Sequence, residues 1–331
     1  MQKRLRAKHW LSQTGSEKSQ IPPRMTRLNL RLTCGLAAIY LFLNAPPATR
    51  VVAAENSAPT RRAAAVVTSP PFLWKVEGPR PSWLFGTVHS DDPRVAILPA
   101  SVTTALAASR SFHPELELSA DLGPALAAKL FQADTPDLAS RFKPALWRRV
   151  QTAGAALGLP PPLLSHLTPA FAALLFSAPP SIDIAATLDG QLYDLAHARH
   201  LVIAALETAD EQLGLFEKLP EPLAVAALTE ALDEIEAGRP HEQKLLAAYA
   251  SGDERAIVAL VEEEFNRSPA DRALAEPLLY ARNRTMADRL APHLKTGGAF
   301  VAIGAGHLTG PRSVIELLRA RGWKITRVAT P

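Results

Sequence analysis

One pattern occurs twice in this sequence and restricts the folds that the chain can adopt. In "WLFGTVHS" an apolar run reaches Gly86 and a histidine follows at His89, and "FVAIGAGHLTG" repeats the arrangement with Gly304 and His307. Each copy is followed by a segment with helical spacing and then by another strand-like run. Because strand, helix and strand in this order favour parallel strands paired through a right-handed crossover, two related α/β halves are predicted.

The first copy lies within a series of short predicted elements. Two strands are expected over 71–78 and 82–88, on either side of a Gly/Pro turn. A helix follows over 99–110, where Ser101 is placed to cap it, and then a strand over 111–119. The order is therefore strand, glycine turn with histidine, helix and strand.

The second copy closes the chain with the same order. A strand and turn containing Gly304 precede a helix expected over 311–322, with Pro311 at its start and Gly322 at its end. A strand over 323–330 follows. The predicted fold is thus α/β, with a mostly parallel sheet built from two strand–Gly-x-x-His–helix–strand halves.

The segment between the two halves is predicted to be mostly helical. Helical spacing runs from "LGPALAAKLFQ" (122–132) to "DERAIVALVEEEFN", and a long helix is expected over 269–294. One exception is the β-branched run over 201–208, which is predicted as a further core strand with Glu207 at its carboxyl end. A large helical insertion or cap therefore separates the two halves.

The charge of the chain excludes one class of partner. The formal net charge is +4, but residues 1–54 contain nine of the 36 Lys and Arg residues and one of the 32 acidic residues. The rest of the chain has 27 basic and 31 acidic residues, a net charge of −4. Without a basic face in the body of the protein, nucleic acid is not expected as a partner.

The basic excess belongs to a predicted targeting segment. Met25 is followed by two arginines and by an apolar stretch over about 32–45, which is short for a membrane span. Small residues precede a cleavage site predicted after Ala54. Residues 1–54 are therefore predicted to be a signal peptide with an upstream extension, the true start being Met25, and an uncleaved membrane anchor is the alternative.

This prediction assigns the rest of the chain and its location. Residues 55–70 are expected to form a disordered lead-in, and 71–331 a single domain. This domain is predicted to be exported to a periplasm, and anchoring to a membrane by the uncleaved segment is the alternative. Cys34 is the single cysteine and precedes the cleavage site. Disulfides, thiol catalysis and zinc–thiolate sites are therefore not expected in the mature protein.

The polar residues near the predicted strand ends suggest a catalytic or metal site. His89 and His307 follow strands whose carboxyl ends should meet at one edge, and Glu115 and Glu207 follow or end neighbouring strands. Two imidazoles with one or two carboxylates suit a divalent metal such as Zn, Mn, Co or Fe, which activates water for hydrolysis. Alternation along the strand does not choose between Glu115 and Glu117.

Each of these residues also has a simpler interpretation. Glu207 could instead cap the helix that begins at "TADEQLGLF", and Arg282 in "ARNRTM" could lie on a solvated helix face. A single Gly-x-x-His is a weak signal, whereas two copies in matching contexts are a stronger one. The other histidines lack this context and are expected at the surface or in packing contacts: His9, His113, His166, His197, His200, His241 and His293.

Several motifs together resemble the TraB/GumN family, the bacterial relatives of the animal Tiki proteins. They are "LWKVEGPRPSWLFGTVHSDDPRVAILP", "PELELS", "LVIAALETADEQLGLFEKLP", "ARNRTMADRL" and "VAIGAGHLTGPRSVIELLRARGWKITRV", and they span about 71–328. The resemblance implies an α/β fold shared more distantly with erythromycin esterases and ChaN-like haem-binding proteins. It also implies a metal-dependent peptidase site, since Tiki proteins are described as divalent-metal-dependent peptidases.

The resemblance also assigns residues. His89 and His307 match the two motif histidines, and Glu115 matches the family glutamate, which favours it over Glu117. Glu207 and Arg282 match recurrent family positions. "SFHPEL" departs from the family by placing His113 and Pro114 in the strand, and because proline removes a ladder donor, this strand is expected to be an edge strand or to carry a bulge.

These observations lead to one functional prediction and two alternatives. The prediction is an exported, metal-dependent hydrolase acting on a peptide or small molecule, with Mn, Co or Zn held by His89, Glu115 and His307. Glu207 or a bound water would act as the base, and Arg282 would orient a carboxylate or stabilise an oxyanion. The alternatives are a metal-independent, esterase-like hydrolase and a periplasmic haem- or metal-binding protein without turnover.

Overall fold

The computed structural model describes residues 69–118, 137–179, 182–266 and 269–329. Several sequence predictions concern residues outside these ranges and stay predictions. They are the signal peptide (1–54), the lead-in up to residue 68, Cys34 and the helix expected over 122–132.

The described strands form one mixed sheet of six. Their bounds are β1 (Leu73–Val76), β2 (Ser82–Thr87), β3 (Ser111–Pro114), β4 (Val202–Ile203), β5 (Ala299–Gly304) and β6 (Ile325–Arg327). Their order across the sheet is β4-β3-β5-β2-β1-β6. The pairs β2–β5, β3–β5 and β3–β4 are parallel, whereas β1 is antiparallel to both β2 and β6. The predicted mostly parallel α/β sheet is confirmed.

The two halves interleave instead of lying side by side. We expected the two strands of each half to pair with each other, but β5 lies between β2 and β3, and both β2 and β1 lie between β5 and β6. The expected pairing within each half is therefore wrong, although the strands of each half run in the same direction. The reason is that β2, the strand before the first histidine, pairs with β5, the strand before the second histidine.

Helices surround the sheet and fill the segment between the halves. They are α1 (Ala100–Ala107), α2 (Leu138–Arg141), α3 (Pro144–Ala156), α4 (Pro161–Ser165), α5 (Pro169–Ser177), α6 (Leu188–Ala198), α7 (Ala209–Glu217), α8 (Glu221–Glu236), α9 (Pro240–Ser251), α10 (Glu254–Asn266), α11 (Pro269–Ala275), α12 (Ala281–Thr296), α13 (Ala305–Leu308) and α14 (Val314–Ala320), with a 3-10 turn at Ile184–Ala186 and a π-helical turn at Glu276–Tyr280. The predicted helical insertion is confirmed. In the described ranges, no helix combines the length and hydropathy needed to cross a membrane.

Both faces of the sheet are covered, because alternate strand residues enter different cores. Phe85 and Phe300 lie in a cluster with residues of α1 and α6. Leu84 and Val301 lie in a second, larger cluster with residues of α12, α14 and the helical insertion. Burial on both faces explains why every residue of β5 is buried and why this strand lacks the polar alternation of a half-exposed strand.

One predicted helix cap and one predicted helix start are wrong. Helix α1 follows Pro99 without a side-chain cap, so Ser101 lies inside the helix. Helix α14 begins at Val314 instead of Pro311, because the Ser313 hydroxyl accepts a hydrogen bond from the backbone N–H of Glu316. Its end agrees with the prediction, since Gly322 follows it with φ = 89°.

The run over 201–208 is not the predicted core strand. Only Val202–Ile203 forms a strand, which lies at the edge of the sheet, and Val202 is 67% exposed. A single bridge between Leu116 and Glu207 continues the pairing. The apolar run therefore lies along the edge and turns inward only near its end, where Leu206 and Glu207 are buried.

Pro114 lies in an internal strand, so the expectation of an edge strand or a bulge is wrong. β3 pairs with β5 on one side and with β4 on the other. The Pro114 carbonyl accepts from the N–H of Leu206 on the β4 side, so its missing donor also faces that side. The named β3–β4 ladder ends at Phe112 and Ile203, and beyond it separate bonds from Leu206 and Glu207 continue the pairing. The proline is tolerated because the Ala204 carbonyl on that side accepts a hydrogen bond from Nδ1 of His113 instead of from a backbone N–H.

Gly190 offers a test of the packing that positions α6. A Cβ at this position would lie 2.0 Å from the carbonyl oxygen of Ile184, which is backbone and yields little. Gly190→Ala should therefore destabilise the protein by about 2 kcal/mol or more in urea denaturation. Gly214→Ala in α7 meets nothing within 4 Å and should stabilise by about 0.5 kcal/mol. Equal effects of the two substitutions would contradict this account.

Candidate functional site

The two Gly-x-x-His segments lie side by side at one edge of the sheet. β2 and β5 are parallel neighbours, and Thr87 at the end of β2 is opposite Gly304 at the end of β5. His89 follows β2 by two residues, and His307 follows β5 by three, within the short helix α13. The structure therefore brings both predicted histidines to adjacent strand ends.

The first motif glycine is required for close packing. A Cβ on Gly86 would lie 3.0 Å from the Cα and 3.1 Å from the Cβ of Ala305 at the start of α13. We expected both glycines to permit sharp turns, but Gly86 lies inside β2, and Gly304 has φ = −50°, which any residue adopts. Gly86 thus allows the second histidine segment to approach the first.

His89 is held by a carboxylate from the helical insertion. Its Nδ1 lies 2.9 Å from Oδ2 of Asp189, in the first turn of α6, and the Thr87 hydroxyl donates to Oδ1 of the same residue at 2.9 Å. Burial disfavours the charged imidazole, but the Asp189 carboxylate outweighs burial and raises the pKa of His89 to about 9. Reciprocally, burial raises the pKa of Asp189, but the charge and hydrogen bond of His89 outweigh it and lower that pKa below its ordinary value.

His307 has a neutral partner instead. Its Nδ1 lies 2.6 Å from Oδ1 of Asn283 on α12, and Nδ2 of Asn283 donates to the carbonyl oxygen of Arg312 at 3.0 Å. This second bond fixes the amide, so Oδ1 accepts, and the proton of His307 lies on Nδ1. Its Nε2 is buried and has no hydrogen-bond partner among the described residues. Burial, followed by the positive charges of Arg282 and His89, holds the pKa of His307 well below its ordinary value.

The two predicted glutamates and the predicted arginine form one buried cluster. Nη2 of Arg282 lies 2.6 Å from Oε1 of Glu115 and 2.6 Å from Oε2 of Glu207. All three side chains are at most 6% exposed. The expectation that Arg282 lies on a solvated helix face is therefore wrong, because the guanidinium points into the protein between two carboxylates.

A fourth residue, Gln212, completes this cluster. Its Nε2 donates to Oε1 of Glu115 and to Oε2 of Glu207, both at 3.0 Å, so the two glutamates share an amide as well as a guanidinium. The backbone N–H of Gly304 donates to Oε2 of Glu115 at 3.2 Å. Glu115 therefore connects the cluster directly to the strand end that precedes His307.

The electrostatics of the cluster are dominated by burial. Burial raises the pKa of Glu115, the Arg282 charge opposes this, and the Glu207 charge adds to the increase, so the pKa lies above the ordinary value. The guanidinium keeps two carboxylates together in a region that water does not reach.

The structure decides two alternatives that the sequence left open. Glu115 is buried, whereas Glu117 is exposed, because the alternation ends where β3 ends at Pro114. Glu207 does not cap α7, since Thr208 caps it in a capping box with Glu211.

An irregular turn in the preceding helix contributes to the position of Arg282. The long helix predicted over 269–294 is interrupted by the π-helical turn Glu276–Tyr280, which contains Pro277. A π-helical turn adds a residue and changes which residues of the following helix face inward, and such turns are frequent at functional sites. Nη1 of Arg282 also donates to the Leu278 carbonyl within this turn, at 3.2 Å.

The remaining described histidines have other surroundings than His89 and His307. His113 is buried, lies with its ring centroid 4.1 Å from that of His293, and bonds to the Ser111 hydroxyl and the Ala204 carbonyl. It is thus a packing residue, as expected. His241 is also buried, whereas His166, His197 and His200 are exposed, and His9 lies outside the described ranges.

The fit of a divalent metal to these residues is only partial. Asp189 and Asn283 hold the two imidazoles through Nδ1, the second-sphere arrangement that metal-binding histidines usually have. Glu115, the predicted third ligand, instead accepts hydrogen bonds from Arg282, Gln212 and Gly304. Within the described ranges, no group of three His, Cys, Asp or Glu side chains is arranged to hold a metal. The predicted three-residue metal site therefore does not fit this arrangement.

A cleft opens between the two histidine segments and helix α9. It is lined by residues 87–90, by Ala305 and Gly306, and by residues of α9 and α10, and it is open to solvent. We call it the inner pocket. Its apolar wall consists of Val88, Leu245, Leu246, Tyr249 and Ile257.

A comparison with family models matches most of the chain. The model of the TraB/PrgY/gumN family matches residues 72–327. The chain belongs to the TraB/PrgY/gumN family. The match confirms the resemblance drawn from the sequence motifs and covers both histidine segments and the buried cluster.

Three curated relatives are more distant. The chain is 25% identical over 314 residues to "Metalloprotease TIKI homolog" of Nematostella vectensis, a match covering 78% of this chain and 67% of the relative. It is 27% identical over 315 residues to "Metalloprotease TIKI2" of Danio rerio (77% and 60%) and 27% identical over 313 residues to "Metalloprotease TIKI1" of the same species (77% and 62%). The chain thus spans about two thirds or less of their lengths. No solved structure matches significantly.

Removal of the Arg282 charge should show how strongly the cluster depends on it. Arg282→Leu leaves two buried carboxylates without their bridging cation and should destabilise the protein by about 3–5 kcal/mol in urea denaturation. Arg284→Leu, two residues along the same helix, removes only an exposed pair with Glu276 and should cost less than about 1 kcal/mol. Similar losses for both variants would contradict the proposed role of the cluster.

His113 should make the stability of the fold sensitive to acid. Burial, and then the nearby His293, lower the pKa of His113 to about 4. The unfolded chain takes up this proton below about pH 6.5, whereas the folded chain resists it until about pH 4. The contribution of the neutral His113 to stability is therefore fully present above pH 6.5. Between pH 7 and pH 5 the free energy of unfolding should fall by about 2 kcal/mol because of this residue.

The matched variants are His113→Gln and His166→Gln, the second at an exposed position. The free energy of unfolding in urea is measured at pH 7 and at pH 5. Its decrease between the two pH values should be smaller in His113→Gln than in the parent protein, and in His166→Gln it should equal that of the parent protein. An unchanged pH dependence in His113→Gln would contradict the assignment.

Proposed function

We propose that this chain is a hydrolase that acts on peptide or related acyl bonds, with His89 and His307 as its working groups. The observation that carries the proposal is the pair of imidazoles at adjacent strand ends, each held through Nδ1 by an acceptor from a different helix. The printed names of the relatives, which call them metalloproteases, support the same class of reaction.

The two imidazoles are prepared for different roles. Asn283 keeps the His307 proton on Nδ1, so its Nε2 lone pair can accept a proton from an attacking water. His89, paired with Asp189, retains a proton at neutral pH and can donate it to the leaving group. Water thus adds to the acyl carbon, its proton passes to His307, and the bond to the leaving group breaks as that group is protonated by His89.

The buried cluster fits a supporting role in this proposal. Arg282, Glu115 and Glu207 bond to one another, and Glu115 also holds the Gly304 N–H at the base of the segment that carries His307. The cluster would therefore maintain the position and orientation of that segment. The roles predicted from the sequence, with Glu207 as a base and Arg282 at an oxyanion, stay predictions.

A divalent metal is the second candidate for the chemistry. The names of the relatives favour it, as do the second-sphere contacts of the two histidines, while the engagement of Glu115 speaks against the predicted three-residue set. When bound, such a metal would polarise the acyl group and activate water. Its identity among Mn, Co and Zn stays a prediction.

The location and substrate belong to the proposal as well. The basic and apolar segment before Ala54 supports export, with a periplasm as the destination or the segment as a membrane anchor. The inner pocket, open and partly apolar, suits a peptide or a small acyl substrate.

Hydrolysis of peptide and ester libraries by the full chain tests the proposal. His89→Ala and His307→Ala should each lower kcat/KM at least about 100-fold, because each removes a proton-transfer group. His166→Ala is the matched control at an exposed position and should keep full activity. Retention of activity by either site variant would contradict the proposal.

Chelation separates the two candidates for the chemistry. Activity that persists in EDTA favours the two-histidine reaction, whereas activity lost in EDTA and restored by Mn, Co or Zn favours the metal. Absence of hydrolysis, together with a Soret band on addition of haem, would replace both candidates with a binding function.

A further inference from the structure

A second cavity lies beside the inner pocket, with Tyr249 between the two. Tyr249 lines both cavities, its hydroxyl donates to the Gly86 carbonyl at 2.6 Å, and its ring stacks on Phe72 with centroids 5.0 Å apart. We call the second cavity the outer pocket, and it is also open to solvent. The fixed tyrosine ring makes the two cavities neighbouring compartments.

The outer pocket is apolar. Its lining includes Pro70, Phe72, Phe85, Val95, Ile97 and Pro99. Arg94 at its rim is already engaged, since it bonds to both carboxylate oxygens of Asp92 and to Oε1 of Gln243. The lining therefore offers a place for an apolar group and little attraction for an anion.

The exposed part of Ile97 adds to the apolar surface that a ligand in the outer pocket can cover. Among the large apolar side chains of the described ranges, Ile97 at 38% and Val202 at 67% are the exposed ones. Val202 belongs to the edge strand β4, whereas Ile97 lies at the outer pocket beside the inner one. An apolar side chain left in water at the rim of an apolar cavity gains free energy when a ligand covers it.

We propose that the outer pocket is a subsite for an apolar side chain of an extended polypeptide, and that the side chain two positions away in the same polypeptide occupies the inner pocket. In an extended peptide, residues two apart point to the same side and lie about 7 Å apart. Two cavities that flank one tyrosine ring suit such a pair of side chains. This inference rests on the proposed function and narrows its substrate class to polypeptides instead of small acyl compounds.

Binding of labelled peptides tests the subsite without requiring turnover. The probes are fluorescein-labelled octapeptides of Ala, Gly and Ser that carry one Leu, two adjacent Leu residues, or two Leu residues separated by one position. Fluorescence anisotropy is measured with the full chain carrying His307→Ala, so that peptides are not consumed. The separated pair should bind about tenfold more tightly than the single Leu, whereas the adjacent pair should not.

Matched substitutions locate the effect. Ile97→Ser should abolish the preference for the separated pair, and Val202→Ser, at the other exposed apolar residue, should retain it. Equal Kd values for the three peptides, or a preference that survives Ile97→Ser, would overturn the proposal. A dimer in light scattering that Ile97→Ser dissociates would also overturn it, because a second copy would then be the occupant.

The same experiment separates the subsite from the hydrolase proposal. Binding that depends on Ile97 with no cleavage by the parent chain rejects the hydrolase and keeps the subsite. Cleavage without any dependence on Ile97 rejects the subsite and keeps the hydrolase.

Discussion

The parallel pairing of β2 with β5 is the interaction on which the site depends. Ser82 and Ala299, at the starts of these strands, are 217 residues apart in sequence and are joined by a direct hydrogen bond. Their register places Thr87 opposite Gly304, and each histidine then follows its strand by two or three residues. Since side chains reverse with each one-residue shift in a strand, a different register would separate the two imidazoles.

The polar groups near this edge are arranged so that opposite charges neutralise one another. His89 lies against Asp189, and Arg282 lies between Glu115 and Glu207, while His307 is paired with an uncharged amide. Buried charges are costly unless they are paired and hydrogen-bonded, which explains why helices of the insertion supply so many partners. The insertion therefore completes the site as well as covering it.

The sequence allowed the α/β sheet and the two histidine segments to be predicted, because strand ends and repeated motifs are local features, whereas the choice of Glu115 over Glu117 depended on the family resemblance. Asp189, Asn283 and Gln212 could not be found in this way. They lie on helices, and their contact with the site depends on how those helices pack against the sheet. Asp189 follows the helix cap Thr187 and resembles an ordinary first-turn acid. The run over 201–208 was wrongly predicted as a core strand for a related reason, since an apolar segment can also lie along a sheet edge.

The interleaving of the two halves also governs when the molecule can assemble. β5 lies between β2 and β3 and pairs with both of them. The two strands of the amino-terminal half are therefore not joined into a sheet until nearly the whole chain is available. Contacts of such long sequence separation form slowly, because closing a long loop costs entropy before any contact compensates for it. A nascent chain would therefore contain neither a finished sheet nor the two imidazoles at adjacent strand ends. The candidate site is therefore completed only after nearly the whole chain has been synthesised.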